Sequence, residues 1–566
     1  IVAGPGTGKT RTLTARIAYL VRAHHVPPEH ILAITFTNKA AAEMAERLAS
    51  LLGPEVASRI TVKTFHAFGA MVLREFGERL GIPRDAVILT DEERREVLRQ
   101  ARSDLSAREV DRALEAIDRA KARLSPPEEP WAEVYQAYEE AMRRARALDY
   151  GDLVAKTVRL LEEDPEVLAT LQDRYRWISV DEYQDVNYAQ YRLLRLLTSG
   201  GANIAAIGDP DQAIYGFRGA DRSFFLRFQE DYPNAKVVRL TRNYRSAQAI
   251  LDAALQVINK APGREEAARL FSQFVQEVKL EVYPAPTDRA EAEFVVHQIE
   301  RMVGGTSYFS IDSGRVDETA PVSRGFGDFA VLYRLRSLLP PLLEAFDRAG
   351  IPYQTVGTTP WTAHPVVRRA LERLREYDMA WDALSVREVV QQVRDALVEG
   401  QDLDDAARSR LDMLVEAAPA DRGGREAMQA FLDEVVLRSE TDFYDPRADR
   451  VALMTLHAAK GLEFPVVFIV GVEEGILPYL PEGKDHDVEE ERRLFYVGMT
   501  RAQEKLVLTY ARRRRLYGRV VEHRPSRFLD DIEAALKEIR RMEARGKKRR
   551  KPEGEQLSLW EVLEEE

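Results

Sequence analysis

The octapeptide Ala3-Gly4-Pro5-Gly6-Thr7-Gly8-Lys9-Thr10 constrains this chain more than any other stretch. Its glycines leave a backbone free to wrap an anion with its N–H groups turned inward. Apolar Ile1 and Val2 lead into it, and a helical pattern runs on from about Thr10 to Ala23. Strand, glycine loop and helix in that order make a phosphate-binding loop, here with Ala3 in the place of the usual first glycine. Lys9 is suited to neutralise β- and γ-phosphates, and Thr10 to offer a hydroxyl to Mg2+. A second strand, Ile31 to Thr35, precedes another helix, and this βαβ alternation implies a parallel sheet. The first residue already lies inside the motif, so the natural N-terminus is expected upstream.

A phosphate loop names no reaction by itself. The stretch Ile178 to Asp185, ISVDEYQD, runs from an apolar strand into two adjacent carboxylates. Asp181 is then the candidate Mg2+ ligand, and Glu182 the base that orients and deprotonates an attacking water. A surface acidic pair is the bland alternative, and it fits poorly after a buried strand in a chain with a phosphate loop. Gly208 to Ala220 reads GDPDQAIYGFRGA, where Gln212 follows a strand end and is in reach of a γ-phosphate. Arg245 lies in NYRS (243–246) and Arg501 in TRA (500–502). Spacing alone does not select either arginine, because lone arginines are usually solvated.

A chain of 566 residues exceeds one hydrophobic core, so several domains are expected. Strand signals at Trp177–Val180, Ile204–Ile207, Lys279–Tyr283 and Phe329–Tyr333 alternate with charged helical stretches. The expected organisation is a first α/β domain over 1–69 and 147–242, with a helical insertion over 70–146. A second α/β domain covers 243–360 and 450–530, with a short helical insertion over 361–449. Residues 531–566 read as a charged tail. Two such cores allow a nucleotide to sit between them, so that hydrolysis changes their separation. Net charge is −11, which taken alone argues against a polyanionic partner, yet only the track of a large motor needs to be basic. The basic runs Arg512–Arg515 and Lys547–Lys551 fit a solvated face or a tail equally well. No apolar run approaches the length that spans a bilayer, and no membrane partner is expected. The absence of cysteine excludes disulfides and thiolate chemistry and fits a reducing cytoplasm.

Taken together, AGPGTGKT, TFTNKAAAEM (35–44), TFHAFG (64–69), LDYGDLV (148–154), VDEYQD, GDPDQAIYGFRGA, NYRS, TLHAAKGLEF (455–464) and the stretch around Arg501 resemble the ordered motifs of UvrD/PcrA/Rep-like superfamily 1 helicases. The resemblance covers roughly residues 1–530. It implies two RecA-like parallel-sheet motor domains, each with a helical insertion, and an ATP- and Mg2+-dependent 3′→5′ DNA helicase or translocase of repair or replication restart. It implies Gln212 as γ-phosphate sensor, and Tyr244 on adenine with Arg11 nearby. Glu463 falls on the ribose, and Arg245 and Arg501 on the γ-phosphate from the second domain. The expected fuel-binding set is therefore Ala3 to Thr10, Arg11, Tyr244, Arg245, Glu463 and Arg501.

Single-strand binders stack bases on aromatics, worth about 1–3 kcal/mol per base. Most aromatics are simply core, so composition alone assigns each to packing first. The resemblance raises Phe36, Thr64, His66, Tyr215, Phe217, Arg218, His457 and Tyr517 to DNA contacts, with single-stranded DNA and single/double-strand junctions as partners. Several features depart from the family pattern. The adenine-contacting glutamine motif upstream of the loop is absent, and Phe217 stands where Trp is frequent. The second insertion is short, which predicts weak self-regulation, dependence on accessory repair proteins, or translocation with little unwinding. The Gly304–Gly327 loop is an addition without a reading. In the tail, Gln556 to Trp560 (QLSLW) resembles a sliding-clamp-binding peptide; a short amphipathic end is the alternative. Two other readings of the whole chain stay open: a motor subunit of a helicase–nuclease, and a DNA-bound scaffold switched by ATP binding.

Overall fold

The computed structural model describes residues 1–261, 269–274, 279–304, 324–357, 361–399, 403–438, 444–481, 487–516 and 518–539. Tyr517 and the Gln556–Trp560 peptide lie outside them, as do residues 305–323 of the Gly304–Gly327 loop.

Thr61–Thr64, Ile31–Thr35, Trp177–Val180 and Asn203–Ala206 form a parallel sheet in that order. Val2–Ala3 extends this layer. The Ala3 N–H donates to the Gly208 carbonyl (2.9 Å), and Val2–Ala3 pairs in parallel with Arg239–Leu240. Ile31–Thr35 reads as an unbroken apolar run because helices cover both its faces. Leu32 and Ile34 pack towards the helices Phe65–Phe76 and Tyr150–Glu163. Ile31 and Ala33, pointing the other way, pack towards Lys9–His24 and Asn38–Leu52.

The second sheet has the order Tyr353–Val356, Val451–Thr455, Phe329–Tyr333, Phe464–Ile469, Ala502–Leu516, Leu280–Thr287, Lys537–Ile539, all parallel. Arg519–Glu522 pairs antiparallel with the far end of Ala502–Leu516. Ala330 and Leu332 face one hydrophobic cluster; Phe329, Val331 and Tyr333 face another. Ile214, which follows the first sheet in sequence, is buried in the second sheet's cluster. The two sheets are thereby packed together at the turn that carries Gln212.

Helices Asp91–Ala101, Ala107–Arg123 and Ala132–Arg144 enclose their own core of Leu98, Val110, Ile117, Tyr138 and Met142. The expected boundary at residue 70 is too early. Helix Phe65–Phe76 buries Phe68, Val72 and Leu73 in the first sheet's cluster, so it belongs to that core. Among the described residues the second insertion holds the helices Pro365–Arg375, Val386–Glu399, Asp405–Ala417 and Gly424–Val436, around Leu371, Val390, Leu411 and Phe431. It leaves and rejoins the second sheet, yet it docks on the first. Arg74 makes a two-pronged ion pair with Asp433 (3.0 and 2.9 Å), and Asn38 Nδ2 donates to the Leu437 carbonyl (2.8 Å). Arg375 pairs with Glu93. The tail also begins later than residue 531. Ile532 is buried in the second cluster, and Lys537–Ile539 adds an edge strand beside Leu280–Thr287. Among the described residues no helix is long and apolar enough to cross a membrane.

Candidate nucleotide cleft and polynucleotide track

Gly6 (φ 64°) and Gly8 (φ 82°) adopt left-handed backbone that L side chains rarely reach. Gly6 is also closed in by packing: a Cβ there would lie 2.6 Å from Arg245 Cβ and 2.6 Å from Asn243 Nδ2. Helix Lys9–His24 starts at the loop and points its free N–H groups into it. The 243–246 segment clasps the loop from outside. Asn243 Nδ2 donates to the Pro5 carbonyl (2.7 Å), and the Tyr244 N–H donates to the Gly6 carbonyl (2.8 Å). Ser246 Oγ donates to the Ala502 carbonyl (2.6 Å), which ties this clasp to the second sheet. Arg245 is thus delivered to the phosphate loop by a segment anchored in the opposite lobe.

Strand Trp177–Val180 ends in Asp181 and Glu182. Thr10 Oγ1 donates to Asp181 Oδ2 (3.3 Å), and Lys9 Nζ lies 3.6 Å from Glu182 Oε1. Glu182 sits at φ 50°, a strained conformation for a non-glycine residue that costs on the order of 1–3 kcal/mol. Its own N–H donates to Asp181 Oδ1 (2.9 Å). Burial, reinforced by the Glu182 charge, pushes Asp181 up to about 7. Burial works on Glu182 in the same sense, but Lys9 and Lys460 outweigh it and hold that carboxyl well below its usual range. The two neighbours are therefore pushed apart: one loses its negative charge readily, the other keeps it. The Thr10 hydroxyl and the Asp181 carboxylate are a hard-oxygen pair that fits Mg2+, which takes few protein ligands beside substrate phosphates and water.

Gln212 is buried, and its Nε2 donates to Asp209 Oδ2 (2.7 Å). Arg501 is buried and donates to the carbonyls of Val497 (2.9 Å) and Leu462 (3.2 Å) and to Thr500 Oγ1 (3.1 Å). Burial and the Arg245 charge lower its guanidinium to about 9, while Glu182 and Glu463 oppose that shift. Such coupling brings Arg501, Arg245 and Glu182 into one electrostatic cluster. Glu463, the residue expected on the ribose, accepts from Arg245 Nε (2.5 Å) and Gln503 Nε2 (3.2 Å), which places it beside Arg245. Tyr244 is half exposed with Arg242 5.5 Å over its ring, and Arg11 is exposed one residue past Thr10.

The expected track aromatics come together from distant segments. Phe36 stacks on Tyr215 (5.2 Å, 18°), and Phe217 meets the His457 ring edge-on (5.5 Å). Arg218 lies over the rings of both Tyr215 (5.5 Å) and Phe217 (5.6 Å). Phe217 is 59% exposed and so is not a core side chain. His66 stacks on Tyr150 (3.6 Å, 26°). Thr64 is buried and its Oγ1 accepts the Ala67 N–H (3.1 Å), capping helix Phe65–Phe76, which carries His66.

Three residues of this region escaped the reading of the sequence. Lys460 ion-pairs with the buried Asp185 and donates to the Gln212 carbonyl (2.6 Å), with its Nζ 5.1 Å over the Tyr215 ring. Tyr150 completes the His66 stack. All three lie inside motifs already singled out, and a lysine in the TLHAAKGLEF motif between His457 and Glu463 was the available signal for Lys460.

A phosphate loop packed against Arg245, on a segment tied to a second parallel sheet, defines a two-lobed P-loop motor. Residues 1–233 match the UvrD/REP helicase N-terminal domain, and residues 238–400 and 411–513 match the UvrD-like helicase C-terminal domain. ATP-dependent DNA helicase PcrA of Leuconostoc citreum is 36% identical over 639 residues, covering 95% of this chain and 83% of the relative. PcrA of Staphylococcus epidermidis is 34% identical, covering 94% and 84%. The chain belongs to the UvrD-like helicase family. The first of these alignments is longer than the 566 residues of this chain, so that relative carries segments missing here.

Proposed function

We propose that this chain is an ATP-driven 3′→5′ DNA helicase and single-strand translocase that works at single/double-strand junctions in repair or replication restart. The observation that carries the reading is the contact of Gly6 with Arg245 across the two lobes. Lys9 and the loop N–H groups bind the triphosphate. Glu182, kept ionised, takes a proton from the attacking water. Arg245 and Arg501 neutralise charge on the transferring phosphoryl, a contribution of about 10³–10⁵ in rate for an arginine finger. Thr10 and Asp181 would hold Mg2+, which when bound supplies charge neutralisation at the phosphates. Because the arginines are anchored to the opposite sheet, full catalytic power requires a closed cleft.

Gln212 links this state to the track through Lys460, which touches its carbonyl and the Tyr215 ring. Stacking on Tyr215, Phe217 and His457 tolerates any base, so no sequence preference is expected. The polarity and the DNA substrate rest on the family likeness. The short second insertion favours accessory proteins as partners, and a sliding clamp remains the candidate for Gln556–Trp560.

The test is ATP hydrolysis with and without single-stranded DNA, followed by strand displacement on 3′-tailed and 5′-tailed duplexes. Stimulated hydrolysis and displacement of the 3′-tailed substrate alone is expected. ATP binding without DNA-stimulated phosphate release would instead favour the ATP-switched scaffold.

A further inference from the structure

Helix Ala107–Arg123 of the first insertion carries a lysine with almost no solvent contact. Lys121 is 3% exposed, and a buried ammonium is tolerated only when fully paired. Its Nζ lies 2.7 Å from Asp149 Oδ2, 2.8 Å from Asp152 Oδ1 and 2.7 Å from Glu139 Oε1. Tyr138 Oη donates to Asp149 Oδ2 (2.8 Å). These aspartates form the reciprocal cap of helix Tyr150–Glu163. The Asp152 N–H donates to Asp149 Oδ1 (2.8 Å) and the Asp149 N–H to Asp152 Oδ2 (3.1 Å). Two buried carboxylates in one turn repel each other; Lys121 bridges both, while Arg94 lies 3.7 Å from Asp149 Oδ2 and Lys156 3.2 Å from Asp152 Oδ1.

Tyr150 is the first residue of the helix so capped, and its 41% exposed ring stacks on His66. Gly151 leaves room for the lysine: a Cβ there would lie 3.1 Å from Lys121 Cβ and Cδ. The next residue of the insertion helix makes a second contact. Ala122 Cβ would lie 3.3 Å from a Cβ on Gly219, directly after Phe217 and Arg218. The Arg218 charge reaches His66 and, after burial, helps to keep that imidazole neutral. One helix end thus underlies both the Tyr150–His66 pair and the Phe217–Arg218 turn.

We infer that Lys121 is a positioning residue of the polynucleotide track: it locks the Asp149–Asp152 turn so that Tyr150 and His66 present a stacked pair to the strand. The first helical insertion then serves DNA binding without touching DNA at this point. The inference rests on the proposed reading of the aromatic surface as a polynucleotide track.

The test uses the full chain, an oligo-dT probe, and the DNA concentration that half-saturates ATP hydrolysis. Lys121→Met is expected to raise that concentration about tenfold, within the range of one stacked base. The same substitution in a Tyr150→Ala chain is expected to add almost nothing, while in a Phe217→Ala chain its effect persists. Tyr138→Phe, which removes one hydroxyl and keeps the ring, repeats the cycle more gently should Lys121→Met not fold. An undiminished effect in the Tyr150→Ala background, or no effect in the wild-type background, overturns the inference. If wild-type hydrolysis does not respond to oligo-dT at all, the functional reading itself falls.

Discussion

Lys460, on the loop after strand Val451–Thr455, reaches into the first lobe and ion-pairs with Asp185, three residues past Glu182. Both partners are buried, and burial moves the Asp185 carboxyl up to about 6 against the pull of Lys460. Removing one partner of a buried pair costs about 3–5 kcal/mol, because the other is left charged in a poor solvent. Lys460→Met should therefore lower the melting temperature by several degrees, and Lys460→Met with Asp185→Asn should recover most of it. DNA stimulation of hydrolysis should stay impaired in both. Thermal melts that show no recovery in the double variant would remove Asp185 as the partner that matters.

Glu182 is held ionised by Lys9 and Lys460 and sits on a strained backbone, which suits the proposed role of base. Glu182→Gln should lower kcat by about 10²–10⁴ while leaving ATP and DNA binding within a few-fold. Rapid-quench hydrolysis beside nucleotide binding separates the two quantities. A variant retaining a tenth or more of wild-type turnover would exclude Glu182 as the base.

Phe217 exposes most of its ring beside Arg218 and His457. Phe217→Ala should weaken oligo-dT binding by about 1–3 kcal/mol and leave the melting temperature nearly unchanged. Fluorescence anisotropy with a labelled oligonucleotide measures the first. A large loss of thermal stability would mark Phe217 as packing.

His457 is half-buried, and burial, followed by the charges of Arg334, Arg218 and Lys460, lowers its pKa to about 3. The unfolded chain takes up a proton there near pH 6.5, whereas the folded chain does so only near 3. Stability present above about pH 6.5 is therefore lost as pH falls, by up to about 1 kcal/mol between about pH 7 and about pH 5.5. In His457→Gln that share disappears, so its melting temperature should fall less than that of the wild type over this interval. Parallel declines in scanning fluorimetry would contradict the shift.

The phosphate site was legible because its demands are local. Left-handed glycines, a following helix and carboxylates at a strand end leave a mark within a few residues. The alternation of strands and helices announced two parallel sheets for the same reason. Lys460, Asp185 and Lys121 were not legible, since their partners lie far along the chain and nothing nearby fixes which buried charge meets which. The cap that Thr64 makes on helix Phe65–Phe76 was not legible either, because Ala67, not an acidic residue, stands at the third position and no capping signature appears. Lys537–Ile539 looks like charged tail in isolation and becomes a strand only because Leu280–Thr287 offers an unpaired edge.

The ion pair between Arg74 and Asp433 gives the molecule a mechanical character that its two sheets alone would not. The short insertion departs from the second sheet after Val356, fastens onto the first lobe, and returns before Val451. Two rigid blocks joined at a single hinge can swing freely, but two blocks also spanned by a strut behave as a linkage with fewer degrees of freedom. Each stroke of such a linkage is shorter and more reproducible, and its geometry is set by where the strut is pinned.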